Sequence, residues 1–281
     1  MAARRGRPAA REPEPREGPE TGRRVAAALP AIAFAIFIVA QGGLVFTLGV
    51  LALGILAMTE LYRMMHRARP VNLAGFLTLA AMCLTALYGE KRQILLVLVL
   101  SMPLVFLLAL VRRRRKDVSW GVAATLLGVM WIGLAMVHAV FLRELPHGGA
   151  LVVHTLIGTF VGDTAAYFGG RRWGRTPLAP RLSPNKTVEG LVAGILGGTF
   201  IFWLFGLAYH HEWFGGGDRL VIGLAVTLTA PVGDLFESLM KRDLGVKDTG
   251  RFFGAHGGVL DRLDAVLFSI VAAYYASVAV L

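Results

Sequence analysis

"DRLDAVLFSIVAAYYASVAVL", residues 261–281, begins with two aspartates and an arginine, then runs from Ala265 to Leu281 without a charge. The stretch lacks strict polar–apolar alternation. Its length suits the roughly 17–25 residues that a helix needs to cross a hydrocarbon core ~30 Å thick. Comparable runs precede it at roughly 25–41, 43–62, 71–89, 93–111, 119–142, 149–169, 188–209 and 219–240, and the last occupies 259–281. Bulk composition agrees. Of 281 residues, 56% are hydrophobic and 17% charged, against about 25% charged in an ordinary soluble domain. Only helices or closed barrels satisfy every backbone polar group in lipid, and barrel strands alternate. The fold class is therefore all-α, a polytopic integral membrane protein with about nine transmembrane helices.

Basic residues set the expected orientation. The tail up to Arg24 and the connections after the second, fourth, sixth and eighth runs hold 25 of the 29 Lys and Arg residues; the others are Lys91, Arg92, Arg143 and Arg219. The positive-inside rule places the N-terminus and those alternate loops in the cytoplasm, and nine spans leave Leu281 outside. The net charge of +11 follows from this topology and from affinity for anionic headgroups, so no nucleic-acid partner is expected. The RRRRK run at 112–116 reads the same way.

Residues 1–24, rich in Arg, Glu and Pro, read as a disordered basic tail. Residues 25–148 make an N-terminal group of membrane helices, and 149–281 a C-terminal group that carries most of the membrane-depth acids. No short apolar region with a small-residue cleavage site stands near the start, so no removable signal peptide is expected. Cys83 is the single cysteine, which excludes an intrachain disulfide and a cysteine metal cluster. Glycine-rich runs such as GLVAGILGG, residues 190–198, read as close helix packing.

Ionisable side chains at membrane depth are costly and usually mark function. Glu60 ends the second run, Asp163 lies in the sixth, Asp234 and Glu237 in the eighth, and Asp261 and Asp264 open the ninth. In the expected orientation Asp163 and Asp234 fall about seven residues before the cytoplasmic ends of their helices, about 10 Å deep at 1.5 Å per residue. Asp261 and Asp264 fall within the first ~8 Å of a helix running back outward. Four carboxylates from three helices thus converge on one depth, and the pairs Asp234/Glu237 and Asp261/Asp264, three apart, each share a helix face. Unpaired carboxylates gathered in low dielectric repel and protonate. A hard cation such as Mg2+, which takes oxygen ligands and is shared with substrate phosphates, relieves this. The plainer alternative, a neighbouring Lys or Arg for each Asp, leaves their common depth unexplained.

The flanking loops carry the opposite charge. Lys186, Lys241, Arg242, Lys247, Arg251 and Arg262 all lie on the side of the acids. Cations beside a carboxylate-held metal suit phosphoryl or nucleotidyl transfer, where positioning and charge neutralisation do most of the work. Pro177, Pro180 and Pro184 break helix. Thr187 can cap a helix starting at Val188, whose free N–H groups suit an anion. Gly254, Gly257 and Gly258 permit close backbone approach to a ligand. Glu189 either assists Lys186 or caps locally, with the local role preferred. His138 and His154, nearer the outer face, read as packing or interfacial residues.

Residues 238–264, SLMKRDLGVKDTGRFFGAHGGVLDRLD, resemble the signature of the phosphatidate cytidylyltransferases, or CDP-diacylglycerol synthases. Ser238, Lys241, Arg242, Lys247, Asp248, Gly250, His256, Gly257, Gly258, Asp261, Arg262 and Asp264 fall on its pattern. GDTAAYFGG at 162–170, SPNKTVEG at 183–190 and PVGDLFES at 231–238 resemble further family blocks. Asn185 departs from the pattern, where relatives often have a basic residue, and leaves Lys186 as the cation of that block. The similarity covers about residues 150–281 by motif and the first half by hydropathy alone.

The resemblance implies a membrane enzyme of phospholipid biosynthesis that converts CTP and phosphatidic acid into CDP-diacylglycerol and pyrophosphate at the cytoplasmic face. It implies Mg2+, with Asp234 and Asp261 as ligands. From their depth, Asp163 and Asp264 are expected as second ligands or as groups that orient waters and nearby Lys or Arg, and a second cation is left open. Lys241, Arg242 and Asp264 join Asp234 and Asp261 as expected catalytic residues. Ser183, Lys186, Thr187, Lys247, Asp248, Arg251, His256, Gly257, Gly258 and Arg262 are expected to bind substrate, His256 through a phosphate or by holding its loop. Other membrane lipids are expected partners, and a homo-oligomer is left open. The alternatives are an ion-coupled transporter, whose carboxylates usually lie nearer the midplane, and a CTP-dependent lipid or polyprenol kinase, against which the full signature argues.

Overall fold

Every apolar run becomes helix. In chain order these are α1 (Glu20–Gln41), α2 (Gly43–Met64), α3 (Asn72–Tyr88), α4 (Lys91–Leu110), α5 (Val118–Gly128), α6 (Leu134–Glu144), α7 (Gly148–Trp173), α8 (Val188–His210), α9 (Gly216–Asp243) and α10 (Leu260–Val280). The computed structural model describes residues 20–111, 117–250 and 257–281. Residues 1–19 of the expected tail and the RRRRK run at 112–116 lie outside the described residues. A π-helical turn, Val129–Gly133, joins α5 to α6, so these two form one span of 27 residues.

Among the described residues seven helices are long and apolar enough to cross a membrane. The two remaining apolar helices, Leu29–Gln41 within α1 and α3, are shorter. At 1.5 Å per residue, α3 with its 17 residues reaches about 26 Å, short of a ~30 Å core. The expected count of nine therefore becomes nine helical segments, of which seven meet the length of a full span.

Local chemistry explains several boundaries. Gly42, at φ 67°, breaks α1 from α2 in a conformation that favours glycine, and the Arg143 Nε donates to the Val39 carbonyl at 2.9 Å, satisfying an orphan acceptor in the last turn of α1. Glu90 and Gln93 form a reciprocal capping box at the start of α4. α7 and α9 continue past their apolar runs because RRW and KRD are adequate helix formers whose cations suit a helix C-terminus.

The buried core centres on α2, α3, α6 and α10, with Met58, Leu61, Leu79, Ile132, Leu142 and Leu260 fully enclosed. Between α7 and α8, glycines carry the packing. A Cβ at Gly198 would sit 2.7 Å from the Gly158 carbonyl, and one at Gly194 would sit 3.0 Å from that of Gly162. Hydroxyls then tie neighbouring helices: Thr159 Oγ1 donates to Ser269 Oγ at 2.9 Å, and Thr199 and Thr227 share a 2.9 Å bond.

One feature departs from the all-helical expectation. Among the described residues, strand is confined to an antiparallel hairpin, β1 (Pro177–Ala179) with β2 (Ser183–Thr187), registered Pro177 to Thr187 and Ala179 to Ser183. It fills the connection between α7 and α8. Its prolines forbid helix as expected, but the extended backbone they favour also permits pairing at an edge.

Candidate active site

The acids reach one place because of helix packing. Asp163 lies ten residues before the end of α7, Asp234 nine before the end of α9, and Asp261 and Asp264 in the first turns of α10. α9 and α10 touch closely at Gly233, where any Cβ would collide with the Asp264 carbonyl. That contact sets Asp234 beside Asp264. All four carboxylates line one cavity of about 700 Å³. Its lining also includes Asn185, Lys186 and Thr187 from β2, Tyr167 and Arg171 from α7, and Gly190 and Gly194 from α8.

Two of the four carboxylates have lysine partners. Lys186 is ion-paired to Asp234, which also accepts a long bond, 3.4 Å, from Ser238 Oγ. Lys241 Nζ donates to Asp261 Oδ1 at 3.0 Å and to Glu237 Oε2 at 2.6 Å, bridging α9 to α10. Asp261 Oδ2 accepts three more hydrogen bonds, from the Thr249 N–H at 3.0 Å, Thr249 Oγ1 at 2.8 Å and the Gly258 N–H at 2.7 Å. Asp264 Oδ1 accepts from the Ala265 N–H at 2.8 Å. Neither Asp163 nor Asp264 is ion-paired to Lys or Arg among the described residues.

Among the described residues the plainer alternative thus holds for half the cluster and fails for the rest. Four carboxylates against Arg171 and Lys186 leave the described lining with an excess of negative charge. A hard divalent cation bound by carboxylate oxygens is the chemistry that such a donor set suits. Among the described residues no three His, Cys, Asp or Glu side chains lie close enough together to hold a metal ion. Asp261 is the most fully hydrogen-bonded of the acids, whereas Asp163 is exposed to the cavity.

The other expected site residues divide between cavity and support. Lys186 and Thr187 line the cavity; Ser183 begins β2 outside its lining. Arg242 Nε donates to the Leu182 carbonyl at 3.3 Å, holding the hairpin turn. Lys247 and Asp248 are exposed, as is Arg262 on the outer side of the first turn of α10. Gly257, at φ 82°, and Gly258 do admit close approach, but the groups that approach are the carboxylates of Asp261 and Glu60. Arg251, Gly254 and His256 lie outside the described residues.

At the start of α8 one expectation is corrected. Thr187 caps the helix, accepting from the Gly190 N–H at 3.1 Å, while the Val188 N–H bonds the Thr176 carbonyl at 2.9 Å. Two of the donors expected to be free for an anion, the Val188 and Gly190 N–H groups, are thus taken. Glu189 takes the local role, accepting from the Arg175 N–H at 3.0 Å and from Thr176 Oγ1 at 2.9 Å. His138 and His154 pack among aromatic rings away from the cavity.

Three residues acquire roles that the sequence did not assign. Arg171, counted only as a basic loop residue, lines the cavity, and so does Asn185 despite its departure from the family pattern. Thr249 carries no charge and no periodic signal, yet it holds Asp261.

With this geometry in place, comparison with known proteins is decisive. Residues 22–280 match the model of the cytidylyltransferase family. The chain belongs to the cytidylyltransferase family. As a member it is a nucleotidyltransferase, set here in a multi-pass helical membrane fold. It is 30% identical over 264 residues to the phosphatidate cytidylyltransferase of Bacillus subtilis, covering 88% of this chain and 93% of that protein. It is 29% identical over 252 residues to the phosphatidate cytidylyltransferase of Staphylococcus epidermidis, covering 87% and 94%. The Aquifex aeolicus phosphatidate cytidylyltransferase is 35% identical over 171 residues, 60% of this chain and 62% of that protein, so the chain spans under two thirds of that relative.

Proposed function

We propose that this cytidylyltransferase uses CTP and phosphatidate, releasing pyrophosphate and leaving CDP-diacylglycerol in the membrane. The observation that carries the reading is the convergence of Asp163, Asp234, Asp261 and Asp264 with Lys186 and Arg171 around one cavity at the ends of α7 and α9 and the start of α10. A phosphate oxygen of the lipid attacks the α-phosphorus of CTP; a P–O bond forms there as the bond to the departing pyrophosphate breaks. No protein nucleophile is required.

Asp234 and Asp261 are the residues that would hold Mg2+, with Asp163 beside them. Bound there, the ion would offset phosphate charge and stabilise charge on the leaving oxygen. The chain's own residues act on the same charge. Lys186 and Arg171 offer cations where two anionic substrates must meet. Lys241, bridging Glu237 and Asp261, keeps Asp261 fixed while the nucleotide enters. The lipid chains remain among the helices, and the reacting headgroup meets a water-soluble nucleotide on the side expected to be cytoplasmic.

The test is direct. Purified protein with labelled CTP and phosphatidate should yield a lipid-extractable CDP product that requires divalent cation and disappears with chelator. Absence of that product from folded protein would overturn the reading.

A further inference from the structure

Glu60 lies on α2, far in sequence from the cavity and outside its lining, yet it is only 4% exposed. A carboxylate buried this deeply must find hydrogen-bond donors, because an unsatisfied buried charge costs several kcal/mol. Its donors come from the start of α10 and the loop before it. Oε1 accepts from the Val259 N–H at 3.0 Å; Oε2 accepts from the Leu260 N–H at 2.8 Å and stands 3.2 Å from Thr249 Oγ1, whose one proton it shares with the nearer Asp261 Oδ2.

α10 has no side-chain cap of its own at Val259. The first N–H groups of a helix need acceptors, and the positive end of its dipole favours an anion. Glu60 supplies both from another helix. Thr249 links it onward, since the same hydroxyl approaches Asp261 Oδ2 at 2.8 Å. The backbone is built around this carboxylate: a Cβ at Gly250 would come within 2.5 Å of Glu60 Oε1, and one at Gly258 would come closer still. Glu60 is therefore seated between Gly250 and Gly258, on either side of the last segment before α10.

We infer that Glu60 is a positioning residue for the transfer reaction, holding Thr249 and the first turn of α10 so that the Asp261 carboxylate faces the cavity and Lys241. This rests on the reading of the cavity as the cytidylyl-transfer site. Glu60 touches no substrate and acts through Asp261. Lys241 performs the matching task from α9, with Glu237, 1% exposed, as its second anchor.

The first experiment replaces Glu60 by Gln. Both carboxylate oxygens accept N–H groups, so whichever way the amide turns, its NH2 faces a donor. Shape is kept and the hold is lost. The expected result is a fall in kcat of about 10- to 100-fold, the range for a misplaced catalytic group, with KM for CTP within about 2-fold. Amide hydrogen exchange at residues 258–260 should rise in the same variant, a readout that needs no turnover.

Thr249→Val and Thr249→Ser provide the second arm should Glu60→Gln fold poorly. Valine should reproduce the kcat loss, and serine, which keeps the hydroxyl, should restore activity. Unchanged kcat per folded enzyme in Glu60→Gln, or in Thr249→Val where the first variant is unstable, overturns the inference. So does unchanged exchange at 258–260. If the wild-type enzyme makes no CDP-lipid while exchange still rises in Glu60→Gln, the proposed reaction fails and the hold on α10 stands.

Discussion

Lys186, on the second strand of the hairpin, is ion-paired to Asp234, in the membrane-depth part of α9. Both side chains are about a third exposed, at 28% and 32%, so water screens the pair and it adds little to stability. Its value lies in delivering a cation to the cavity on a short rigid element. Lys186→Ala should lower kcat/KM for CTP by ~10-fold or more, as loss of a group stabilising transferred charge does, with the unfolding midpoint nearly unchanged. Lys186→Arg should retain part of the activity. Steady-state kinetics on protein of matched monodispersity decide it, and wild-type kinetics in the alanine variant would reduce Lys186 to a topology signal.

Asp234 and Asp261 should respond differently to loss of charge. In Asp261→Asn the amide oxygen can replace Oδ2 and keep the bonds from Thr249 and Gly258, but the NH2 then faces the Lys241 ammonium, donor against donor. The loop should stay folded while activity falls by ~100-fold or more and the Mg2+ needed for half-maximal rate rises. Asp234→Asn should give a similar loss and also release Lys186. Either variant working normally at low Mg2+ would remove its residue from the metal site.

Much of this arrangement is legible in the sequence because membrane burial writes a strong signal. Each apolar run predicts a helix, and four of the six acids in those runs, Asp163, Asp234, Asp261 and Asp264, line the cavity, while Glu60 and Glu237 stand outside its lining. Signals that depend on distant partners are not legible. Pairing of Pro177 with Thr187 leaves no mark in a Pro-rich loop, and Glu60 reads as one more membrane-end acid until Val259 and Leu260, some two hundred residues on, are seen to donate to it. The N–H groups at the start of α8 look free for an anion because nothing local says that the Thr176 carbonyl reaches Val188.

Packing between α7, α8 and α9 makes a further prediction. Gly198→Ala places a methyl 2.7 Å from the Gly158 carbonyl and 2.6 Å from Thr227 Cγ2, so helices must separate. Overpacking of this kind costs about 1–3 kcal/mol. Because Gly158 and Thr227 also line the cavity, activity should fall with stability. Gly217→Ala, where nothing lies within 4 Å, is the matched control and should be neutral. Thermal unfolding in detergent compares them; equal midpoints for both would mean that α8 is not held where these contacts place it.

Orientation is the last prediction, and it rests on two connections at opposite ends of α8. The last turn of α7 and the hairpin connection before α8 carry Arg171, Arg172, Arg175, Arg181 and Lys186, whereas the connection after α8, residues 211–215, has no Lys or Arg. By the positive-inside rule the first should be cytoplasmic and the second external. Arg175 and Glu212 are both exposed, so a cysteine at either is open to solvent, and the native Cys83 is buried and should contribute little background. In intact cells a membrane-impermeant maleimide should label Glu212→Cys and leave Arg175→Cys untouched until the membrane is permeabilised. The Glu189 carboxylate holds the backbone N–H of residue 175, not its side chain, so the substitution leaves the hairpin anchor intact. Labelling of Arg175→Cys from outside would invert the topology and put the carboxylate cavity on the face away from cytoplasmic CTP.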